Sequence, residues 1–266
     1  MIRLRDLLLA VAITGALWLP TAPTVAQEGK MLHVPTQGGT YVPVFWVKQN
    51  TAPMTVVLLT GGGGGIGKLD GSGWPSSENF LIRSGHAFAA AGFNIAMVAK
   101  PSDIPRLDPD LRIGEGYIDG LYKTLQHIKT LSSAPIWLVG TSQGTISATA
   151  LAIAHQDPSL IAGVVLTSSI TSWKLRGSVP RQALEKIKVP VLVVHHAKDA
   201  CRICRPDEVP AIMKGLKNAS IKKLVMVDGG SGATGDPCEA LHYHGYIGME
   251  RQVVDLISAW IKAPTT

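Results

Sequence analysis

Beyond about residue 40 the chain alternates between apolar runs and amphipathic stretches. Residues 41–48 alternate apolar and polar positions, as a half-exposed strand does. Residues 54–60, MTVVLLT, form a continuous apolar and β-branched run, the pattern of a strand covered on both faces. Residues 93–99, 161–168 and 189–195 repeat it, residues 135–139 are a shorter version, and residues 221–227 are the last. Helical spacing occupies the gaps. Residues 78–91 place Phe80, Leu81, His86, Phe88 and Ala89 at helix intervals, and residues 113–131 carry Ile118, Leu121, Leu125 and Ile128 along one stripe. Residues 143–155 are alanine-rich, and residues 208–216 and 249–261 complete the helical segments. Strands alternating with helices, with the strands apolar throughout, predict an α/β fold: a three-layer α/β/α sandwich around a mostly parallel sheet of about eight strands. No linker or shift in composition divides it.

The N-terminus stands apart from this pattern. Arg3 and Arg5 precede an apolar run over residues 7–19, Pro20 ends it, and Thr24-Val25-Ala26 puts small residues where a signal peptidase reads. The run is too short to span a bilayer comfortably, and no second long apolar segment follows. Residues 1–26 are therefore expected to be a signal peptide. Residues 27–266 would form one periplasmic or secreted domain, with no stable membrane anchor after cleavage. A chain of 266 residues with 46% hydrophobic and 17% charged positions buries a full core rather than remaining disordered. The net charge of +6 comes from scattered residues, without the basic run or aromatic interleaving of a nucleic-acid footprint, so no nucleic-acid partner is expected.

Export changes how the three cysteines read. Cys201-Arg202-Ile203-Cys204 has the C-x-x-C spacing but no second pair to complete a zinc site, and no thioredoxin-like helix opens there. A disulfide from Cys201 or Cys204 to Cys238 is the expectation, with no metal.

The strongest chemical signal is Gly140-Thr141-Ser142-Gln143-Gly144, G-x-S-x-G set between a predicted strand and a small-residue helix. Such a turn holds its central residue in a strained conformation, and glycines on either side keep Cβ atoms out of the crossing. Ser142 is the candidate nucleophile. Its activation needs a base and an orienting acid, expected in the chain order serine, acid, histidine on loops after later strands. Asp199 follows the strand ending in His195-His196 and is the candidate acid; Asp207 and Glu208, further along, read as the opening of a helix. In Leu241-His242-Tyr243-His244-Gly245-Tyr246, both histidines occupy the right loop, and Gly245 gives backbone latitude that favours His244 over His242.

Oxyanion stabilisation requires two backbone N–H donors. Gln143, just after the nucleophile, supplies one; the glycine tract at residues 61–65 supplies the other, from Gly62, with Gly61 and Gly63 as alternatives. Residues 62–68 also match G-x-x-x-x-G-K, yet Leu69 stands where a phosphate-binding loop needs Ser or Thr, and Asp70-Gly71-Ser72-Gly73-Trp74-Pro75 cannot open the required helix. Nucleotide binding is not expected, and no cofactor is implied.

These residues together make the chain resemble the α/β-hydrolase superfamily. The likeness covers nearly all of residues 27–266: the tract after MTVVLLT, the GTSQG elbow, Asp199 after VLVVHHAK, and HYHGYIG before the last helix. It implies a Ser142–His244–Asp199 triad. Thr60-Gly61 stands where that family carries His-Gly, a departure at the second oxyanion donor. About twenty residues separate the strand ending near Ser169 from the next, so no large lid domain is expected. A Cys201–Cys238 bridge, preferred slightly over Cys204–Cys238, would staple the acid loop to the histidine loop. The resulting expectation is an exported serine hydrolase that cleaves carboxylic esters, with a small-molecule or exposed ester as its partner. Peptidase, thioesterase or acyltransferase chemistry and a catalytically idle binding domain are the alternatives. Oligomeric state is not legible.

Overall fold

In a computed structural model that describes residues 28–266, the apolar runs become strands of one open, eight-stranded sheet. The expected signal peptide lies outside the described residues. The strands are β1 (Lys30–Pro35), β2 (Tyr41–Val47), β3 (Thr55–Leu59), β4 (Asn94–Val98), β5 (Ile136–Thr141), β6 (Ile161–Thr167), β7 (Val191–His196) and β8 (Lys222–Val227). Their spatial order is β1-β2-β4-β3-β5-β6-β7-β8. β2 pairs antiparallel with β1 and β4, and every other pairing is parallel.

Both faces of the central strands are apolar because helices cover both. Val57, Leu59, Leu138 and Val193 point into one core with α3 (Glu115–Leu131), α4 (Gly144–Ala154) and α5 (Pro210–Gly215). Their neighbours Val56, Leu58, Val139 and Val194 point into the other, against α1 (Phe80–Arg83), α2 (Gly85–Ala90) and α6 (Glu250–Lys262). This period-two division of a continuously apolar strand builds the expected three layers. On α3, Ile118, Leu121, Leu125 and Ile128 are the buried stripe, as their spacing predicts.

Two elements depart from the sequence reading. The single helix expected over residues 78–91 is two short helices that break at Ser84. Phe80, Leu81 and Ile82 are all buried, which three consecutive positions cannot achieve on one stripe of a longer helix. The break also brings Gly85 so close to Met97 and Trp74 that a Cβ there would lie 2.1 Å from Met97 Cε. β1 has no counterpart in the hydrophobic pattern. It is an edge strand in which only Val34 is buried, so it lacks an apolar signature.

The strand order reverses beside β3. From β3 the chain moves outward to β4 across the α1–α2 face, then returns by α3 on the opposite face to β5 on the other side of β3. The loops after β3 and β5 therefore leave toward opposite faces and open a crevice at the strands' carboxyl ends, where open α/β sheets bind ligands. Among the described residues no lid domain covers it: residues 168–190 form turns and two short 3-10 helices.

Candidate active site

β5 ends at Thr141, and Ser142 takes up the left-handed conformation with φ of 51°. A non-glycine residue held there is strained by about 1–3 kcal/mol and persists only where its surroundings enforce it. Here they do. The Ser142 N–H donates to the Thr167 carbonyl of β6 at 3.1 Å, and α4 begins two residues later, pressed onto the end of β3. A Cβ on Gly144 would lie 1.9 Å from the Leu59 carbonyl oxygen, and one on Gly140 would lie 2.7 Å from the Gly144 oxygen. Both glycines of G-x-S-x-G are thus required by backbone contact.

Gly61 faces this turn from the β3 loop, where a Cβ would meet Ser142 Cβ at 2.7 Å. Gly61, Gly62, Gly63, Ser142 and Gln143 line a cavity of about 510 Å³. The N–H groups of Gly62 and Gln143 have no hydrogen-bond acceptor among the described residues. Arg106, Glu78 and Glu239 bring charges of both signs to the same cavity.

Asp199 sits in the turn after β7, buried, with its carboxylate fully engaged. Oδ1 accepts the Cys201 N–H at 2.9 Å, and Oδ2 lies 2.8 Å from His244 Nδ1 and 3.4 Å from His195 Nε2. Burial pushes the pKa of Asp199 upward, but the hydrogen bonds from His195, His244 and the Cys201 amide outweigh it and hold the value down at about 2. An ionised Asp199 fixes the His244 tautomer: Nδ1 carries the proton it donates, and Nε2 keeps a free lone pair. That Nε2 is buried and without a hydrogen-bond partner. No hydrogen bond joins it to Ser142 Oγ, a contact that commonly tightens only when substrate binds.

The histidine loop is held from three directions. Ser168, itself left-handed at φ 43°, donates from Oγ to the His244 carbonyl at 2.7 Å. Tyr246 is left-handed and fully buried; its hydroxyl accepts the Ser168 N–H at 3.0 Å and donates to the Val194 carbonyl at 2.8 Å. Burial raises the Tyr246 pKa, so the phenol stays protonated and able to donate. Arg83 reaches from α1 to the Gly245 carbonyl at 2.5 Å and pairs with Glu250 at 3.0 Å. Gly245 has no room for a side chain, because a Cβ would lie 1.8 Å from the Ala240 oxygen.

Of the two candidate histidines, His244 meets Asp199. His242 packs edge-on against the neighbouring ring of Tyr243 instead. Asp207 and Glu208 stand apart in an exposed ion pair with Arg205. Cys201 and Cys238 form the disulfide, and Cys204 is a buried free thiol. Cys201, Cys204 and His244 place potential metal-ligand atoms within 4.8 Å of one another, but the bridge occupies the Cys201 sulfur. The anchoring roles of Tyr246, Ser168 and Arg83 are absent from the sequence reading, since each depends on a contact 52 to 167 residues away in the chain.

No known protein-family profile matches the chain, and neither does any curated protein sequence. Solved structures do match. A dienelactone hydrolase from Anabaena variabilis superposes with a TM-score of 0.63 at 17% identity, covering 90% of this chain and 98% of that one. An α/β serine hydrolase without a lid from Xanthomonas campestris gives 0.58 at 17% identity, covering 93% and 100%. EstE1, a thermostable carboxylesterase from a metagenomic library, gives 0.62 at 16% identity, covering 89% and 88%. Likeness at such identity speaks to the architecture and leaves chemistry to the residues.

Proposed function

Starting from a chain that has the α/β-hydrolase fold, we propose that this protein is an exported serine hydrolase that cleaves carboxylic esters through an acyl-enzyme. The observation that carries the reading is the placement of Ser142 on an enforced left-handed turn, in the same cavity as a His244 already oriented by Asp199. In this reading Ser142 Oγ attacks the ester carbonyl as its proton passes to His244 Nε2. The resulting oxyanion takes hydrogen bonds from the N–H groups of Gln143 and Gly62, assisted by the α4 N-terminus. Collapse expels the alcohol, which leaves with the proton from His244. Water, deprotonated by the same imidazole, then releases the acid.

The open crevice suits a solvent-borne or bulky ester, and the named activities of the lidless hydrolase and the carboxylesterase are in keeping with that choice. Export rests on the N-terminal pattern together with the Cys201–Cys238 bridge, since disulfides persist in oxidising compartments.

The test is intact mass after incubation with a fluorophosphonate, followed by turnover of a panel of p-nitrophenyl esters. A single adduct on the wild type, none on Ser142→Ala, and ester turnover by the wild type alone are expected. A folded wild type that takes no adduct would overturn the reading in favour of an idle binding domain.

A further inference from the structure

Arg112 is 1% exposed, and no carboxylate lies within ion-pair distance of it among the described residues. A buried cation is costly unless paired, and an arginine stays charged even where burial pulls its pKa down, as it does here. Nη1 donates to Ser147 Oγ at 2.9 Å, Nη2 donates to the Gly62 carbonyl at 2.9 Å, and Nε has no partner. Ser147 lies on α4 five residues after Ser142, and Gly62 belongs to the glycine tract. The guanidinium thus ties together the two segments that flank the nucleophile.

Its effect on the tract follows from peptide geometry. In a trans peptide the C=O of one residue and the N–H of the next point in opposite directions, so holding the Gly62 carbonyl aims the N–H of Gly63, which has no acceptor among the described residues. The Gly61 carbonyl accepts from Gly64 N–H at 3.1 Å, and the Gly63 carbonyl accepts from Leu107 N–H at 3.1 Å. The Gly62 carbonyl, between them, is held by the Arg112 cation. Gly62 is left-handed at φ 53° and has nothing within 4 Å of where a Cβ would stand, so neighbouring side chains do not confine it. Arg112 is the restraint that replaces them.

We propose that Arg112 is a positioning residue for oxyanion binding: it fixes the Gly62–Gly63 peptide, whose N–H is the alternative second donor, and its buried charge, which has no direct carboxylate partner, adds a positive field at the oxyanion that forms on the substrate carbonyl. The proposal rests on Ser142 being the nucleophile. A fixed positive field in a low-dielectric site stabilises developing negative charge without reorganisation, so the benefit falls on the transition state rather than on ground-state binding.

The experiment compares wild type, Arg112→Lys and Arg112→Met for kcat, KM, thermal midpoint and the inhibition constant of an alkyl boronic acid. The boronic acid forms a tetrahedral anion on the serine and so reports oxyanion stabilisation directly. Arg112→Met should lower kcat by roughly 30–100-fold with KM within about threefold, and weaken boronate inhibition by a similar factor. Arg112→Lys, which keeps the charge but loses the fork, should recover part of both. Wild-type kcat in folded variants, or a kcat loss without weaker boronate binding, would overturn the inference while leaving the nucleophile assignment intact. A wild type unreactive toward fluorophosphonate would overturn the assignment, and the inference with it. Should both variants fail to fold, Ser147→Ala, which frees one tether and leaves the cation, decides the matter. A kcat loss of about threefold with unchanged KM supports the role; unchanged kcat overturns it.

Discussion

Asp199 carries opposing influences in one buried carboxylate. Burial alone would raise its pKa, yet the donors around it bring the value down to about 2, from an ordinary 3.8. A group whose folded pKa is depressed contributes stability above its unfolded pKa and loses it as pH falls through the folded one. The window is therefore about pH 4 to pH 2, and the contribution is about 2 kcal/mol. Urea unfolding of wild type and Asp199→Asn should show a stability gap that is constant above about pH 5 and narrows by that amount toward pH 2. A gap that stays constant across the range would mean the carboxylate is not held this way. The same substitution should lower kcat by about three to four orders of magnitude in the proposed reaction, because asparagine favours the wrong imidazole tautomer. Ester turnover near the wild-type rate would assign the orienting role to another acid. Ser142, Asp199 and His244 stand out in the sequence as candidates because each sits in a recognisable local frame. Arg112 does not: it lies just before the helical stretch of residues 113–131, outside every motif, and only the folded chain reveals that its guanidinium points inward.

At the scale of elements, legibility follows burial. β3 through β7 stand out in the sequence because both faces of each are covered. β1 is invisible because its edge position leaves it mostly exposed. The break at Ser84 is hidden for another reason, since packing against Trp74 and Met97 overrides a pattern that locally fits one helix. The loop after β8 is the element on which function would turn. Its anchor is a chain of contacts, from Val194 through Tyr246 and Ser168 to the His244 carbonyl. Tyr246→Phe removes the hydroxyl that serves both β7 and Ser168 and leaves buried backbone groups less well satisfied, at about 1–3 kcal/mol. Thermal or urea unfolding should register that loss. In the proposed reaction kcat should fall more than KM rises, because the histidine, not the substrate cavity, loses its support. A stability loss with kinetics unchanged would confine Tyr246 to the core.

For the whole molecule, the sheet brings the β3 and β5 loops together at its reversal point, but Asp199 and His244 arrive from β7 and from beyond β8. Tyr246 ties the histidine loop to Val194 of β7 just after His244, and a second tie holds the segment before it. That tie is the Cys201–Cys238 bridge, across a sequence separation of 37, joining the segment two residues past Asp199 to the segment six before His244. In the chain-entropy view, closing such a loop contributes about 4 kcal/mol by restricting the unfolded chain. That contribution alone would leave the folded site unchanged. If the bridge also preorganises the two loops, its removal must show in the native state. Cys238→Ser separates these effects: urea unfolding should report a loss of about 2–4 kcal/mol, and fluorophosphonate labelling, measured well below the unfolding transition, should slow severalfold. Labelling at the wild-type rate in a destabilised variant would make the bridge a restraint on the unfolded chain only. Slower labelling with stability intact would make it a device of the site alone. The expected result, both together, follows from where the bridge is anchored: each of its ends lies within a few residues of a group whose position relative to Ser142 the proposed reaction needs.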